Sequence, residues 1–250
     1  MSTNKIIIAF DLYGTLLSTE SIAKELANHF GDEKAQSIAA LWRRYQLEYT
    51  FRMNSMSLYK PFSEITTSSL HHALSEHNLS LSEINIQSIM KAYDSLSTFP
   101  DVSIGLQHLA QDPNIDAYVF SNGTYNMLHN SVFESPSLSP LASIFKKLIT
   151  VEEVGCYKPD PRVYEYLVKE VGNGRKDGWR DDLEEREKVW LVSGNPFDVV
   201  GARACGLMTC WVDRKGGGWC DGLGELASGG PHVIVKGVDE AVREIQAEHS

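Results

Sequence analysis

Five consecutive apolar residues, Ile6-Ile7-Ile8-Ala9-Phe10, run directly into an aspartate, Asp11, and then a turn glycine, Gly14. A run this short and this rich in β-branched side chains reads as one buried strand of a parallel sheet. It is too short for the apolar segment of an export signal and far too short to span a bilayer. It also poses a problem, because carboxylates avoid the ends of buried strands unless they are paired or employed. The plain alternative is that Asp11 only caps the following turn. What weighs against that alternative is the company Asp11 keeps at the other strand ends.

Similar apolar runs recur at 116–120, 189–193, 207–212 and 232–235, with the first covering 5–10. Helix-like stretches lie between most of them, at 124–133, 161–171 and 198–205, the last closed by Gly206 just past its C-terminus. This alternation predicts an α/β fold, a doubly wound, Rossmann-like parallel sheet. Residues 18–98 differ, with helical periodicity throughout (Ile22, Leu26, Phe30; Ile38, Leu41, Tyr45) and no strand. The expected organisation is a catalytic core of 1–17 and 99–250 with an all-helical cap of 18–98 inserted after the first strand. The crossings near 16–18 and 98–101 would act as a hinge. Ligands of open α/β sheets bind beyond the carboxyl ends of the strands, where such a cap would close.

Composition removes several classes of function. With 33 acidic against 23 basic side chains, and a formal net charge of −10, the chain has no positive field for a nucleic acid backbone. Four cysteines without a Cys-x-x-Cys pair argue against a disulfide framework and for a reducing, cytosolic compartment. The eight histidines include no i, i+4 pair of the kind a helical metal site uses, and the adjacent His71 and His72 read as surface residues. The polar segments 172–188 and 214–228 read as surface excursions. Gly172-Asn173-Gly174-Arg175-Lys176 lacks both the Gly-Lys-Ser/Thr ending and the preceding strand of a phosphate loop.

Four strand-end motifs carry the chemistry: Asp11-Leu12-Tyr13-Gly14-Thr15, Ser121-Asn122-Gly123, Lys158-Pro159-Asp160, and Ser193-Gly194-Asn195-Pro196-Phe197-Asp198. In this order, with a helical insert after the first, the chain resembles the haloacid dehalogenase-like hydrolase superfamily, and within it the L-2-haloacid dehalogenases. The cap segment Leu41-Trp42-Arg43, followed by Gln46-Leu47-Glu48-Tyr49-Thr50, looks like the dehalogenase stretch whose arginine reaches into the site. Two positions separate this reading from a magnesium-dependent phosphatase of the same superfamily. Phosphatases place a second aspartate two residues after the nucleophile to protonate an alkoxide, and here that position is Tyr13. Halide is a weak base and leaves without a proton. The phosphatases' fourth motif also supplies an acidic metal ligand where this chain has Gly194, leaving only Asp198 for a hard cation.

The resemblance implies hydrolysis of a 2-haloacid without metal or cofactor, through an ester on Asp11. Lys158 would sit beside Asp11 and Thr15 would support it. Ser121 would donate to the substrate carboxylate, and Arg43 and Asn122 to the departing halide. Asp198 would orient or deprotonate the hydrolytic water, with Ser193 and Asn195 positioning it. Leu12, Tyr13, Leu47, Phe62, Tyr164 and Phe197 would line the substrate cavity and exclude bulk water. A small-molecule substrate, no nucleic acid or membrane partner, and a homodimer complete the expectation. A third reading, a binding protein that keeps the fold without turnover, is least favoured by the presence of Asp11, Ser121, Lys158 and Asp198 together.

Overall fold

The protein is described by a computed structural model covering residues 5–172 and 186–248. Most of the expected 172–188 excursion, residues 173–185, therefore lies outside the described residues. Six parallel strands form one sheet: β1 (Ile6–Phe10), β2 (Ile115–Ser121), β3 (Phe145–Thr150), β4 (Val189–Ser193), β5 (Met208–Val212) and β6 (Val233–Val235), in the spatial order β3-β2-β1-β4-β5-β6. Every residue of β1 and of β4 is buried, as expected of strands covered on both faces. Phe10 pairs with Val119 on one side and Val192 on the other, which brings the ends of β1, β2 and β4 side by side. The strand order reverses at β1, so its carboxyl end is the topological switch point where open α/β sheets place their ligands.

Five of these strands coincide with the apolar runs of the sequence, and β3 does not. Its Lys146 and Lys147 are exposed and break the apolar run, and β3 is an edge strand, where lysine guards against unwanted pairing. The stretch read as one helix over 124–133 is split. Helix α6 (Tyr125–His129), opened by the Thr124 side chain accepting from Met127 N–H, passes into a π-turn over Asn130–Glu134. We number the remaining helices α1 (Ala23–Phe30), α2 (Asp32–Ser55), α3 (Phe62–Glu76), α4 (Glu83–Tyr93), α5 (Pro100–Leu109), α7 (Pro161–Val171), α8 (Pro196–Ala204), α9 (Leu223–Ala227) and α10 (Val238–Ala247). Among the described residues no helix is long and apolar enough to cross a membrane.

Helix α8 ends as its sequence indicates. Gly206 adopts φ +80°, its N–H bonds to Arg203 C=O, and the Leu207 N–H reaches back to Ala202 C=O, a Schellman closure that needs the left-handed residue. Between β1 and α5 the regular elements are helical: a 3₁₀ turn over Thr19–Ile22, then α1 to α4. The two crossings into and out of this insert lie against each other. Leu17 and Thr98 form an antiparallel bridge, and Ser18 N–H donates to Ser97 C=O at 2.8 Å. His72 is not the free surface residue expected. It is half-buried, stacked on Tyr45 at 3.8 Å between ring centroids and 2.9 Å from the Tyr49 hydroxyl.

Candidate active site

Asp11 is 6% exposed, and its donors come from three separate segments: the turn after β1, the turn after β4 and the loop between β3 and α7. Its Oδ2 accepts from the Thr15 hydroxyl and from Asn195 Nδ2, both at 2.7 Å. Its Oδ1 accepts from Lys158 Nζ at 3.2 Å. The turn that presents it is held by Gly14 at φ +88° and by Gly194, whose N–H donates to Thr15 Oγ1 at 2.9 Å. Position 194 can only be glycine in this arrangement, because a Cβ there would stand 2.5 Å from the Gly14 carbonyl oxygen.

Lys158 is 1% exposed and uses all three ammonium hydrogens, on Asp11 Oδ1, on Asp198 Oδ2 at 2.8 Å and on the Phe120 carbonyl at 2.8 Å. Nζ also lies 4.1 Å from the centre of the Phe120 ring. Its own N–H is held by Asn122 Oδ1 at 2.9 Å, so the second motif positions the third. Asp198 is fully buried in the first turn of α8, where the helix dipole favours a negative charge. Its Oδ1 accepts from the Tyr164 hydroxyl at 2.7 Å. Burial pushes the Asp198 carboxyl up from its ordinary range; the Lys158 ammonium pulls it down, Asp11 raises it, and the balance is upward. Burial raises the Tyr164 phenol well above its usual value, and the neighbouring Asp198 charge adds to the shift.

Arg43 reaches in from α2, half-buried. Its Nη1 donates to Gln46 Oε1 at 2.7 Å, and its Nη2 donates to the Tyr13 carbonyl at 3.1 Å and to Asn195 Oδ1 at 3.3 Å. The insert thus touches the same asparagine that holds Asp11. Tyr13 is buried, stacked on Phe62 at 5.9 Å and tilted against Tyr93 at 5.5 Å, and its hydroxyl makes no hydrogen bond among the described residues.

Of the fifteen residues expected in the site, Asp11, Thr15, Arg43, Lys158, Tyr164, Asn195 and Asp198 join one hydrogen-bonded network, with Asn122 bonded to its edge. Ser121 and Ser193 are buried at the ends of β2 and β4, each hydroxyl accepting from a backbone N–H two residues on. Leu12 and Phe62 are buried and Leu47 is half-buried. Tyr164, expected as part of the cavity lining, spends its hydroxyl on Asp198. Phe197, expected as a wall, is half-buried with its ring packed edge-on to Phe51 of α2 at 5.2 Å.

Three contributors lie outside the expected set. Asn54, near the end of α2, exchanges two hydrogen bonds with the backbone of Tyr157, at 2.6 and 2.9 Å, 103 residues away. Gln46 lies in the quoted cap segment without a role, yet it is 1% exposed, an unusual depth for a glutamine that nothing in the sequence marks. Arg214, assigned to a surface excursion, is half-buried. Its guanidinium grips Asp101 with two bonds, donates to the Thr15 carbonyl at 2.8 Å and lies 3.7 Å over Phe99. Burial would raise the Asp101 carboxyl, but the bonds from Arg214 and the Val238 N–H hold it below the usual range.

A hard divalent cation needs several carboxylate oxygens free to converge on it. Here Lys158 Nζ holds an oxygen of Asp11 and one of Asp198, Thr15 and Asn195 hold the other oxygen of Asp11, and position 194 has no room for a side chain. This donor set does not fit magnesium.

The family model for haloacid dehalogenase-like hydrolases matches residues 7–206. The chain belongs to that family. Within it, the chain is 32% identical over 209 residues to haloacetate dehalogenase H-2 of Moraxella sp. (strain B), covering 84% of this chain and 86% of that protein. It is 32% identical over 228 residues to an (S)-2-haloacid dehalogenase of Pseudomonas fluorescens, covering 90% of each. Among solved structures, the L-2-haloacid dehalogenase from Xanthobacter autotrophicus with chloropropionic acid covalently bound superposes with a TM-score of 0.79 at 25% identity, covering 97% of this chain and 98% of that one. The α/β sheet with its helical insert is therefore the family's fold.

Proposed function

We propose that this protein hydrolyses short-chain (S)-2-haloalkanoic acids to 2-hydroxy acids and halide through an ester on Asp11. The observation that carries the reading is a buried carboxylate held by three donors, with an ammonium at its side where a metal-dependent relative would need further carboxylates. The names of the relatives, (S)-2-haloacid dehalogenases, support the substrate class and its hand.

Asp11 Oδ1, which carries one donor against two on Oδ2, attacks C2 of the substrate. The C–O bond forms as the C–X bond breaks, and halide departs with its electron pair and no proton. Arg43, whose acceptors are all neutral, receives the halide with Asn122, and Ser121 receives the substrate carboxylate. Leu12, Tyr13, Leu47, Phe62 and Phe197 exclude bulk water from this step. Water then attacks the Asp11 carbonyl carbon, giving its proton to Asp198. The charge developing on Oδ2 is met by the Thr15 hydroxyl and Asn195 amide that already point at it. Ser193 fixes Asn195 through its N–H, and Tyr164 and Lys158 orient Asp198. Collapse breaks the bond between the Asp11 carbonyl carbon and the substrate oxygen, which takes the proton back from Asp198 as the hydroxy acid leaves, and loss of the second water proton to solvent restores the Asp11 carboxylate.

The reading includes a core of 1–17 and 99–250, a helical cap of 18–98 and a hinge at the paired crossings, so that Arg43 arrives as the cap closes. It also includes a cytosolic homodimer; the four cysteines are free thiols, which suits a reducing compartment. The test is chloride release from racemic 2-chloropropionate in excess EDTA. Release from half the racemate, reduced by at least about 10⁴-fold in Asp11→Asn, is expected. No release, with magnesium-dependent hydrolysis of p-nitrophenyl phosphate, would sink the proposal.

A further inference from the structure

Gln46 stands one helical turn from Arg43 on α2 and is almost wholly buried. Its amide is satisfied on both ends. Oε1 accepts from Arg43 Nη1 at 2.7 Å and from the Tyr93 hydroxyl at 3.1 Å, and Nε2 donates to Thr66 Oγ1 at 2.8 Å. Thr66 in turn donates to the Phe62 carbonyl, so the network ties α2, α3 and α4 together behind the guanidinium. All the acceptors of Arg43 are neutral: an amide oxygen from Gln46, a backbone carbonyl from Tyr13 and an amide oxygen from Asn195. Among the described residues no carboxylate lies within ion-pair distance of Arg43, and the neutral Tyr93 hydroxyl, itself bonded to Gln46, lies beside its guanidinium.

A part-buried guanidinium normally takes a carboxylate, because paired charge is cheaper to bury than lone charge. Here the same chain pairs its other site cation, Lys158, with two carboxylates. Glutamate has nearly the shape of glutamine and would offer Arg43 an ion pair at the same point. Its absence leaves the guanidinium oriented but electrically unspent.

Building on the dehalogenase reading of Arg43, we propose that Gln46 is a positioning residue that aims Arg43 with a neutral acceptor, keeping its full charge for the departing halide. Gln46 sets the anion affinity of the site through Arg43 and does not touch the substrate. A carboxylate at 46 would compete with halide for the guanidinium; an apolar residue would leave the charge but lose the aim.

Two variants separate this from a packing role. Gln46→Glu keeps the size and the bonds from Arg43 and Tyr93, so a packing role makes it the milder change and Gln46→Met the harsher. Our assignment reverses that order. At neutral pH, Gln46→Glu loses about 100-fold in kcat on 2-chloropropionate, and Gln46→Met on the order of tenfold, while Gln46→Glu melts no lower than Gln46→Met. Independently of turnover, broadening of the ³⁵Cl NMR line of chloride by the wild type should fall in Gln46→Glu to the level of Arg43→Ala. If the wild type broadens chloride and Gln46→Glu does so equally, or if Gln46→Glu turns over faster than Gln46→Met, the assignment to Gln46 is wrong while the dehalogenase reading stands. If the wild type broadens chloride no more than Arg43→Ala, Arg43 is not the anion receptor and both readings of it fall.

Discussion

Two cations reach the surroundings of Asp11 from different parts of the chain and are treated in opposite ways. Lys158, from the sheet side, is buried among Asp11, Asp198, a carbonyl and an aromatic face, with every hydrogen committed. Arg43, from the helical insert, is half-buried and meets only neutral oxygens. Lys158 is therefore a fixed part of the folded core, while Arg43 has no carboxylate partner among the described residues. On the proposed reading, one chain thus separates holding a carboxylate in place from receiving an anion.

The contrast is most sharply tested by removing each cation. Lys158→Met leaves two buried carboxylates without their counter-charge, and losing one partner from a buried ion network costs about 3–5 kcal/mol. It should lower the midpoint of urea unfolding markedly and abolish chloride release. Arg43→Ala gives up only bonds to neutral acceptors, each worth about 1 kcal/mol, so unfolding should shift far less. Its turnover should still fall by roughly 10²–10³-fold. Equal losses of stability in the two variants would erase the distinction.

A smaller effect concerns pH. The Asp198 carboxyl is shifted upward by burial, and in its proposed role it would take up the proton of the hydrolytic water only when ionised. Its base form is present above its own raised value and is lost as pH falls through it. The acid limb of kcat should therefore lie above the ordinary aspartate value of about 3.9. Tyr164→Phe removes the hydrogen bond that favours the ionised form and should move the limb further up. A limb at or below the ordinary range would count against Asp198 as the base.

The smallest effect lies at the paired crossings, where Arg214 joins Asp101 to the carbonyl of Thr15. Asp101 is held below the usual carboxylate range, so its contribution is present above the unfolded value of about 3.9 and is lost as pH falls through the lower folded value. Asp101→Asn should lower the melting temperature by a few degrees at neutral pH, and the difference should shrink in acid. A difference independent of pH would show that the charge of Asp101 is not what matters there.

The core and the network around Asp11 were largely legible because both obey short-range rules. A buried strand ending in a carboxylate is visible within six residues, and β1, β2 and β4 carry their functional groups at that same point. Strand β3 was not legible, because its two exposed lysines serve the sheet edge and break the apolar pattern. Asn54 could not have been found: its partners are backbone atoms of Tyr157, far along the chain and without a sequence signature. Arg214 was hidden by its neighbours, since residues 215–218 are exposed and only the arginine turns inward. Gln46 was in view but looked like an ordinary polar helical residue, and only its depth shows that its neutrality matters.

The most direct measurement is a single turnover of 2-chloropropionate with excess protein in ¹⁸O-water, followed by mass analysis of the peptide containing Asp11 and of the released acid. Attack of water on the ester carbonyl places the first heavy oxygen in the side chain of Asp11 and leaves the first 2-hydroxypropionate unlabelled. Heavy oxygen in that first product, with none in the peptide, would mean that water displaces the halide directly and that Asp11 never bonds to the substrate.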